Sequence, residues 1–157
     1  DYVTGVRRCA LRICLAGDGP ERGTMESLVG QAGRIDRVQF IGFLSRPEDL
    51  LAEIDILAVS SDHEQMPLSV MEAMAAGLPI VSTDVGDIRS MVAKANHPYI
   101  AALDQSGETL ANAFARLIAN RAEMREIVTK NAVKAARVSG FPTMADTNSA
   151  PLDEAPN

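Results

Sequence analysis

The sequence predicts an α/β fold built on a mainly parallel sheet. Short apolar runs alternate with longer amphipathic stretches along most of the chain. Clusters of glycine, proline and aspartate separate them. Strands that alternate with helices in this way are joined by crossovers, and crossovers make neighbouring strands parallel.

The first strand is Leu11–Ala16 (LRICLA), closed by the turn Gly17-Asp18-Gly19-Pro20. A helix follows over Glu21–Ala32, with Met25, Leu28 and Val29 on one face, although Gly23 and Gly30 weaken it. Val38–Phe43 (VQFIGF) is the second strand. Ser45 stands three residues before Glu48, the spacing of a helix N-cap, and Leu50, Leu51 and Ile54 give that helix an apolar face. Ile54–Ser60 leads into a third strand and then a polar loop, Ser61–Gln65. Met66–Ala76 holds strong helix formers, with Pro67 in its first turn and Gly77 as its C′ stop. Leu78–Thr83 is a fourth strand, closed by Asp84-Val85-Gly86. A short helix over Asp87–Lys94, a short strand over Tyr99–Ala102 and amphipathic helices over Thr109–Ala119 and Glu123–Val138 complete the pattern. One domain is therefore expected over residues 1–138. From Ser139 the chain turns rich in Pro, Ser, Asn and acid, so residues 139–157 read as a disordered tail.

Composition narrows the function. The 157 residues are 46% hydrophobic and 23% charged, ordinary values for a soluble globular chain. The net charge of −6 and the lack of a basic stripe argue against nucleic acid as a partner. Aromatics at 4% leave little for stacking on bases. No run approaches the ~18 apolar residues of a transmembrane helix, and no signal peptide opens the chain, so the cytoplasm is the expected compartment. Cys9 and Cys14 show no disulfide or zinc spacing, and Cys14 reads as a buried thiol.

The chemistry concentrates in residues 60–86, SSDHEQMPLSVMEAMAAGLPIVSTDVG. Read physically, this is strand end, polar loop, helix, strand and turn. Open parallel sheets bind ligands beyond the carboxyl ends of their strands. The helix N-terminus there offers free amides, around Gln65, Met66 and Leu68, to phosphate or sugar oxygens. Glu64 precedes that helix, and Glu72 lies inside it among Met71, Ala73 and Met74. A carboxylate set among apolar neighbours needs hydrogen-bond partners, which ribose or sugar hydroxyls supply. The bland reading makes both acids solvated surface groups favoured by the helix dipole. Asp62-His63-Glu64 holds metal-ligand residue types, but three consecutive residues rarely converge on one ion. His63 and His97 read as loop residues, Asp18 and Asp84 as turn residues bonding their own backbone. Met66, Met71 and Met74 read as core packing.

The string EQMPLSVMEAMAAGLPIVSTDVG resembles the E-x7-E signature of glycosyltransferase family 4. LRICLAGDGPER, VQFIGFLS and IDILAVSSDHE resemble further motifs of that family, in the family's order. The resemblance covers roughly residues 8–140 and implies the C-terminal, donor-binding half of a GT-B fold, which is Rossmann-like. It implies a hexosyl transfer from a nucleotide-diphosphate sugar, with the anomeric configuration retained. Glu72 then holds ribose hydroxyls, and Glu64 contacts the transferred sugar as the catalytic-site acid. Amides around Gln65, Met66 and Leu68 meet sugar and phosphate oxygens. Gly17, Asp18 and Gly19 form the turn beside the donor, and Gly42, Phe43 and Leu44 lie near the base. No metal or other cofactor is implied. The donor is a UDP- or GDP-sugar, and a sugar or lipid-linked acceptor belongs to an N-terminal domain, through which peripheral membrane association is expected.

The sequence departs from that family in places. Gln65 stands where the family usually has Gly, which narrows the sugar pocket or changes its specificity. The family's opening strand and its basic Arg…Lys pair have no counterpart before Leu11, and Arg7 and Arg8 read as surface charges. The family's returning helix has no counterpart after Val138. A truncated chain, of low stability and inactive alone, is the resulting expectation. The alternative is a non-catalytic nucleotide-binding remnant. A sugar-nucleotide epimerase of GT-B fold matches residues 64–86 less well, and a flavodoxin-like signalling domain lacks its acidic cluster.

Overall fold

The computed structural model describes residues 12–104 and 107–139. It is α/β with parallel sheets, as the alternation predicts, and its strands fall into two sheets. The chain divides into two compact units, residues 1–53 and 54–157. Cys9, Arg7, Arg8 and the expected tail from residue 140 lie outside the described residues.

The first unit is a strand–helix–strand with one more helical turn. β1 (Ile13–Ala16) pairs in parallel with β2 (Val38–Gly42), with Ile13 opposite Val38 and Leu15 opposite Phe40. α1 (Arg22–Gln31) is the crossover between them. Its expected apolar face stays wet: Met25 is 41% and Leu28 53% exposed. None of the described residues of this unit is buried. Arg22 ties the unit together instead, with its guanidinium over the Phe40 ring and a 2.9 Å bond to Glu26. α2 (Pro47–Leu51) corrects the expected cap. Arg46, not Ser45, is the N-cap residue, no side chain caps the helix, and Glu48 pairs with Arg46. Arg46 has three or more donors to place and finds Glu48 and Asp49 within reach, which draws Glu48 away from a capping box.

The second unit holds the core. β3 (Leu57–Val59), β4 (Ile80–Thr83) and β5 (Ile100–Ala101) form a parallel sheet in the order β3-β4-β5. All four residues of the central strand β4 are buried, which is why the stretch IVST lacks polar alternation. α3 (Leu68–Ala75) packs Val70, Ala73 and Met74 inward. It ends in a Schellman cap: Leu78 N–H donates to Ala73 O at 2.8 Å and Gly77 N–H to Met74 O at 3.0 Å. Gly77 supplies the left-handed conformation this needs, at φ +78°. α4 (Ile88–Met91) is shorter than expected. A 3-10 turn over Lys94–Tyr99 replaces the rest and places His97 and Pro98 on helical backbone rather than in a loop. α5 (Glu108–Ala119) and α6 (Arg121–Ser139) close the unit, α6 running one residue into the expected tail. Val81, Tyr99, Ala113, Leu117 and Ile127 form one buried cluster, flanked by Leu110 and Phe114 at helical spacing on α5. No described helix is long and apolar enough to cross a membrane.

Two buried carboxamides lock this unit. Asn96 grips the backbone of Ile80 from both sides: its Oδ1 accepts from Ile80 N–H at 2.9 Å and its Nδ2 donates to Ile80 O at 2.6 Å. Asn131 on α6 accepts from Ala93 N–H at 3.0 Å and donates to Leu78 O and to Asn96 Oδ1. Both residues are 0% exposed, so each backbone group they serve has no water to fall back on. Replacing Asn131 by Leu is expected to destabilise the chain by about 3 kcal/mol or more, because it orphans several buried polar groups at once. A urea midpoint that implies less than about 1 kcal/mol contradicts this.

Among the described residues, Tyr99 is the one buried ring with a charged partner. Its hydroxyl donates to the Glu123 carboxylate, and Arg116 lies 5.4 Å from the ring centroid. Burial, reinforced by the hydrogen bond to Glu123 and the carboxylate's charge, pushes the phenol up to about 12. The fold therefore holds the proton more tightly than the unfolded chain does. That contribution is complete below pH 10 and is lost as pH rises from there through about 12. Stability measured across that range is expected to fall, and Tyr99→Phe is expected to remove this part of the fall. An identical alkaline profile for the two proteins contradicts the assignment.

Candidate functional site

Glu64 sits in the loop between β3 and α3, half-buried. Its carboxylate is held by a neighbour in the same loop: Ser61 Oγ donates to Glu64 Oε1 at 2.8 Å. Ser61 is itself held from β4, where the buried Thr83 donates its Oγ1 to Ser61 O at 2.6 Å. The far end of the loop is tied to the turn after β4. Asp87 N–H donates to Gln65 O at 2.8 Å. Both ends of residues 61–65 are therefore fixed by residues 83–87.

The helix that follows begins later than the sequence pattern suggests. α3 starts at Leu68, with Pro67 as N-cap in extended conformation and no side-chain cap. A proline before the first turn has no N–H to satisfy, so the helix needs no residue there to receive one. Gln65 and Met66 thus belong to the loop. Val70 N–H already bonds Pro67 O at 3.1 Å. The amides of Leu68 and Ser69 have no acceptor within the helix by position, and among the described residues no side chain caps them. Those donors, at the positive end of the helix dipole, suit an anion or sugar oxygen.

Glu72 corrects the expectation of an acid set among apolar groups. It is exposed, because α3 turns Val70, Ala73 and Met74 inward and Ser69 and Glu72 outward. Its sequence neighbours Met71 and Ala73 point elsewhere, since consecutive helical residues lie about 100° apart. Among the described residues no side chain pairs with its carboxylate. Met66 and Leu68 are exposed as well, at 57% and 68%, so Met66 is not core packing; Met74 is.

In the first unit, the ends of β1 and β2 converge. Gly17 N–H donates to Gly42 O at 2.7 Å, and both glycines have positive φ, +119° and +70°. The hydrogen bond brings the Gly17-Asp18-Gly19 turn beside Gly42-Phe43-Leu44. Phe43 is 82% exposed there, an apolar ring left open, while Leu44 is half-buried. Asp18 faces Arg22 at 3.8 Å rather than bonding its own backbone. The Gly17 and Gly42 group lies in the first compact unit, and the Glu64 and Glu72 group in the second.

Sequence reasoning missed Ser61, Thr83 and Asp87 as parts of the site. Only the glycine at 86, in the turn that closes β4, offered a signal of close backbone approach. Asp84, read as a turn residue, instead pairs with Arg89 at 2.7 Å, and Arg89 also bonds Ile100 O at 2.8 Å. The long guanidinium reaches over the turn and outcompetes the local backbone bond. Cys14 is half-buried rather than buried. Among the described residues, no three His, Cys, Asp or Glu side chains converge as metal ligands.

Comparison with known proteins places this geometry. The 2-deoxystreptamine glucosyltransferase of Streptomyces kanamyceticus is 38% identical over 106 residues, 66% of this chain and 27% of that protein. The N-acetyl-alpha-D-glucosaminyl L-malate synthase of Bacillus anthracis is 36% identical over 89 residues, 57% of this chain and 23% of that protein. The chain thus spans about a quarter of the length of these relatives. Among solved structures, Anabaena HepE in complex with UDP-glucose superposes with a TM-score of 0.70 at 25% identity, over 80% of this chain and 36% of that one. The fold is that of the GT-B glycosyltransferases. Residues 7–135 match the model of the glycosyl transferases group 1 family, and the chain belongs to that family.

Proposed function

We propose that the chain is the donor-binding part of a glycosyltransferase that moves a hexosyl unit from a nucleotide-diphosphate sugar with retention of configuration. The observation that carries this is the pairing of a fixed acid, Glu64, with an uncapped helix N-terminus one loop turn away. Glu64 receives hydroxyls of the transferred sugar. The amides of Gln65, Met66 and Leu68 receive sugar and diphosphate oxygens. The leaving group is an anionic nucleotide diphosphate, so oriented amide dipoles stabilise the charge that develops on it. Glu72, exposed and unpaired by any described side chain, is open to accept from the two ribose hydroxyls.

Within the first unit by itself, the Gly17-Asp18-Gly19 turn and residues Gly42, Phe43 and Leu44 are read as donor contacts on the family resemblance alone. UDP fits better than GDP in this reading, supported by the UDP-glucose complex of HepE. No metal is needed, because amides and the helix dipole meet the diphosphate charge. The acceptor, a sugar or a lipid-linked sugar, is met by other parts of a longer enzyme, as the relatives' lengths suggest.

Thermal melts with UDP and GDP test the reading. UDP at ten times its Kd is expected to stabilise the chain by about 1.4 kcal/mol, a shift of several degrees. Glu72→Ala is expected to weaken UDP by about tenfold or more, the scale of a lost charge-assisted hydrogen bond. A cooperative melt that no nucleotide moves sinks the proposal, and so does an unaltered UDP response in Glu72→Ala.

A further inference from the structure

Gly86 sits where a side chain cannot. A Cβ built on it falls 2.2 Å from Glu64 O, 2.5 Å from Gln65 O and 2.7 Å from the Glu64 carbonyl carbon. These are backbone atoms, so no rotamer change relieves the clash. The residue also has φ +53°, a conformation that side chains disfavour. The Glu64–Gln65 peptide thus lies directly against the Cα of Gly86, and the next amide, Asp87 N–H, bonds Gln65 O at 2.8 Å.

The same turn is anchored from behind. Asp84 N–H donates to Ala101 O at 2.7 Å, and Val85 N–H to Thr83 O at 3.0 Å. Thr83, 6% exposed, reaches the other end of the loop through Ser61 O, and Ser61 Oγ completes the chain to the Glu64 carboxylate. We propose that residues 83–87 are a template that positions Glu64 for the donor sugar, with Gly86 setting the depth of its backbone and Thr83, through Ser61, setting the direction of its carboxylate. None of these residues touches the reacting atoms; all act through Glu64. The proposal rests on the donor-site reading above and adds that recognition of the sugar, separately from the nucleotide, depends on this turn. A methyl group at position 86 pushes the Glu64–Gln65 peptide outward by about 1 Å before ordinary contact distances return. A displacement of that size costs up to about 10²-fold where geometry sets the interaction.

Calorimetric titration of the 157-residue chain with UDP, UDP-glucose and UDP-N-acetylglucosamine tests the template. The increment that the sugar adds over UDP is read for the wild type and for Glu64→Ala, Gly86→Ala, Thr83→Val and Thr83→Ser. Gly86→Ala and Thr83→Val are each expected to lose about tenfold or more of the sugar increment, and Thr83→Val, which leaves the Gln65 amide in place, to keep UDP within about twofold. Thr83→Ser keeps the hydroxyl and is expected to retain it. If Gly86→Ala does not fold, the two Thr83 variants decide. An equal response of Thr83→Val and Thr83→Ser overturns the proposal, as does a parallel loss of UDP and sugar in Thr83→Val, which marks a merely structural role. A sugar increment abolished by Glu64→Ala but intact in Gly86→Ala and Thr83→Val overturns the template and leaves the donor site standing. A wild type that binds UDP without a sugar increment removes Glu64 from sugar recognition and the template with it. A wild type that binds no nucleotide overturns the donor-site reading itself and this inference together.

Discussion

The second unit depends on one buried constraint, the pair Asn96 and Asn131. A short parallel sheet has few backbone bonds of its own, and its central strand β4 is covered on both faces. The carboxamide of Asn96 satisfies Ile80 N–H and O where the sheet bonding is incomplete. Asn131 then fastens that carboxamide to α6 and to the backbone on either side, at Leu78 and Ala93. Polar groups in so dry a place are costly unless fully matched, and none of the described buried side-chain polar atoms is left without a partner. The result is a β4 that cannot slide, because a shift of one residue would break every bond in the set.

The site inherits that rigidity. β4 ends in Thr83, and from Thr83 to Asp87 the chain holds the loop that carries Glu64. An acid on a free loop pays conformational entropy each time it meets a ligand. Here the loop is held at both ends by a strand that the core has already ordered. The neighbouring α3 is oriented by the same core through Val70, Ala73 and Met74, which leaves its uncapped start and Glu72 at the surface. Order in the core and openness at the helix start come from the same packing.

The first unit is built differently. Its strands pair and its crossover helix forms, yet none of its described side chains is buried. Hydrophobic burial is the main driving force of folding, and this unit has little of it within its own described residues. Backbone hydrogen bonds, the Gly17–Gly42 contact and the Arg22 cluster of charge and ring contacts hold it instead. Ile13, Leu28, Ile35 and Phe43 remain exposed.

Much of this was legible in the residues alone. The β and α periodicities placed every described strand, and Gly77 marked the end of α3 because only a left-handed residue completes a Schellman cap. The spacing of Glu64 and Glu72 and the string around them pointed to the family, and the family model matches residues 7–135. The errors share one cause. Ser45, Asp84 and Met66 were read by backbone preference, and each was decided otherwise: Arg46 takes Glu48, Arg89 takes Asp84, and Met66 stands in solvent. Capping and turn bonds of about 1 kcal/mol yield to charge-assisted bonds from an arginine two or five positions away. By itself the sequence determined the order of the described strands and helices and the family, because these follow from periodicity and from motifs in a fixed order. Only the tertiary structure decided that Glu72 faces outward, that Asn96 and Asn131 meet, and that the turn at Gly86 seats the loop of Glu64. Those depend on contacts between residues 16 to 53 positions apart in the asparagine network and 22 apart between Thr83 and Ser61, which no local pattern encodes.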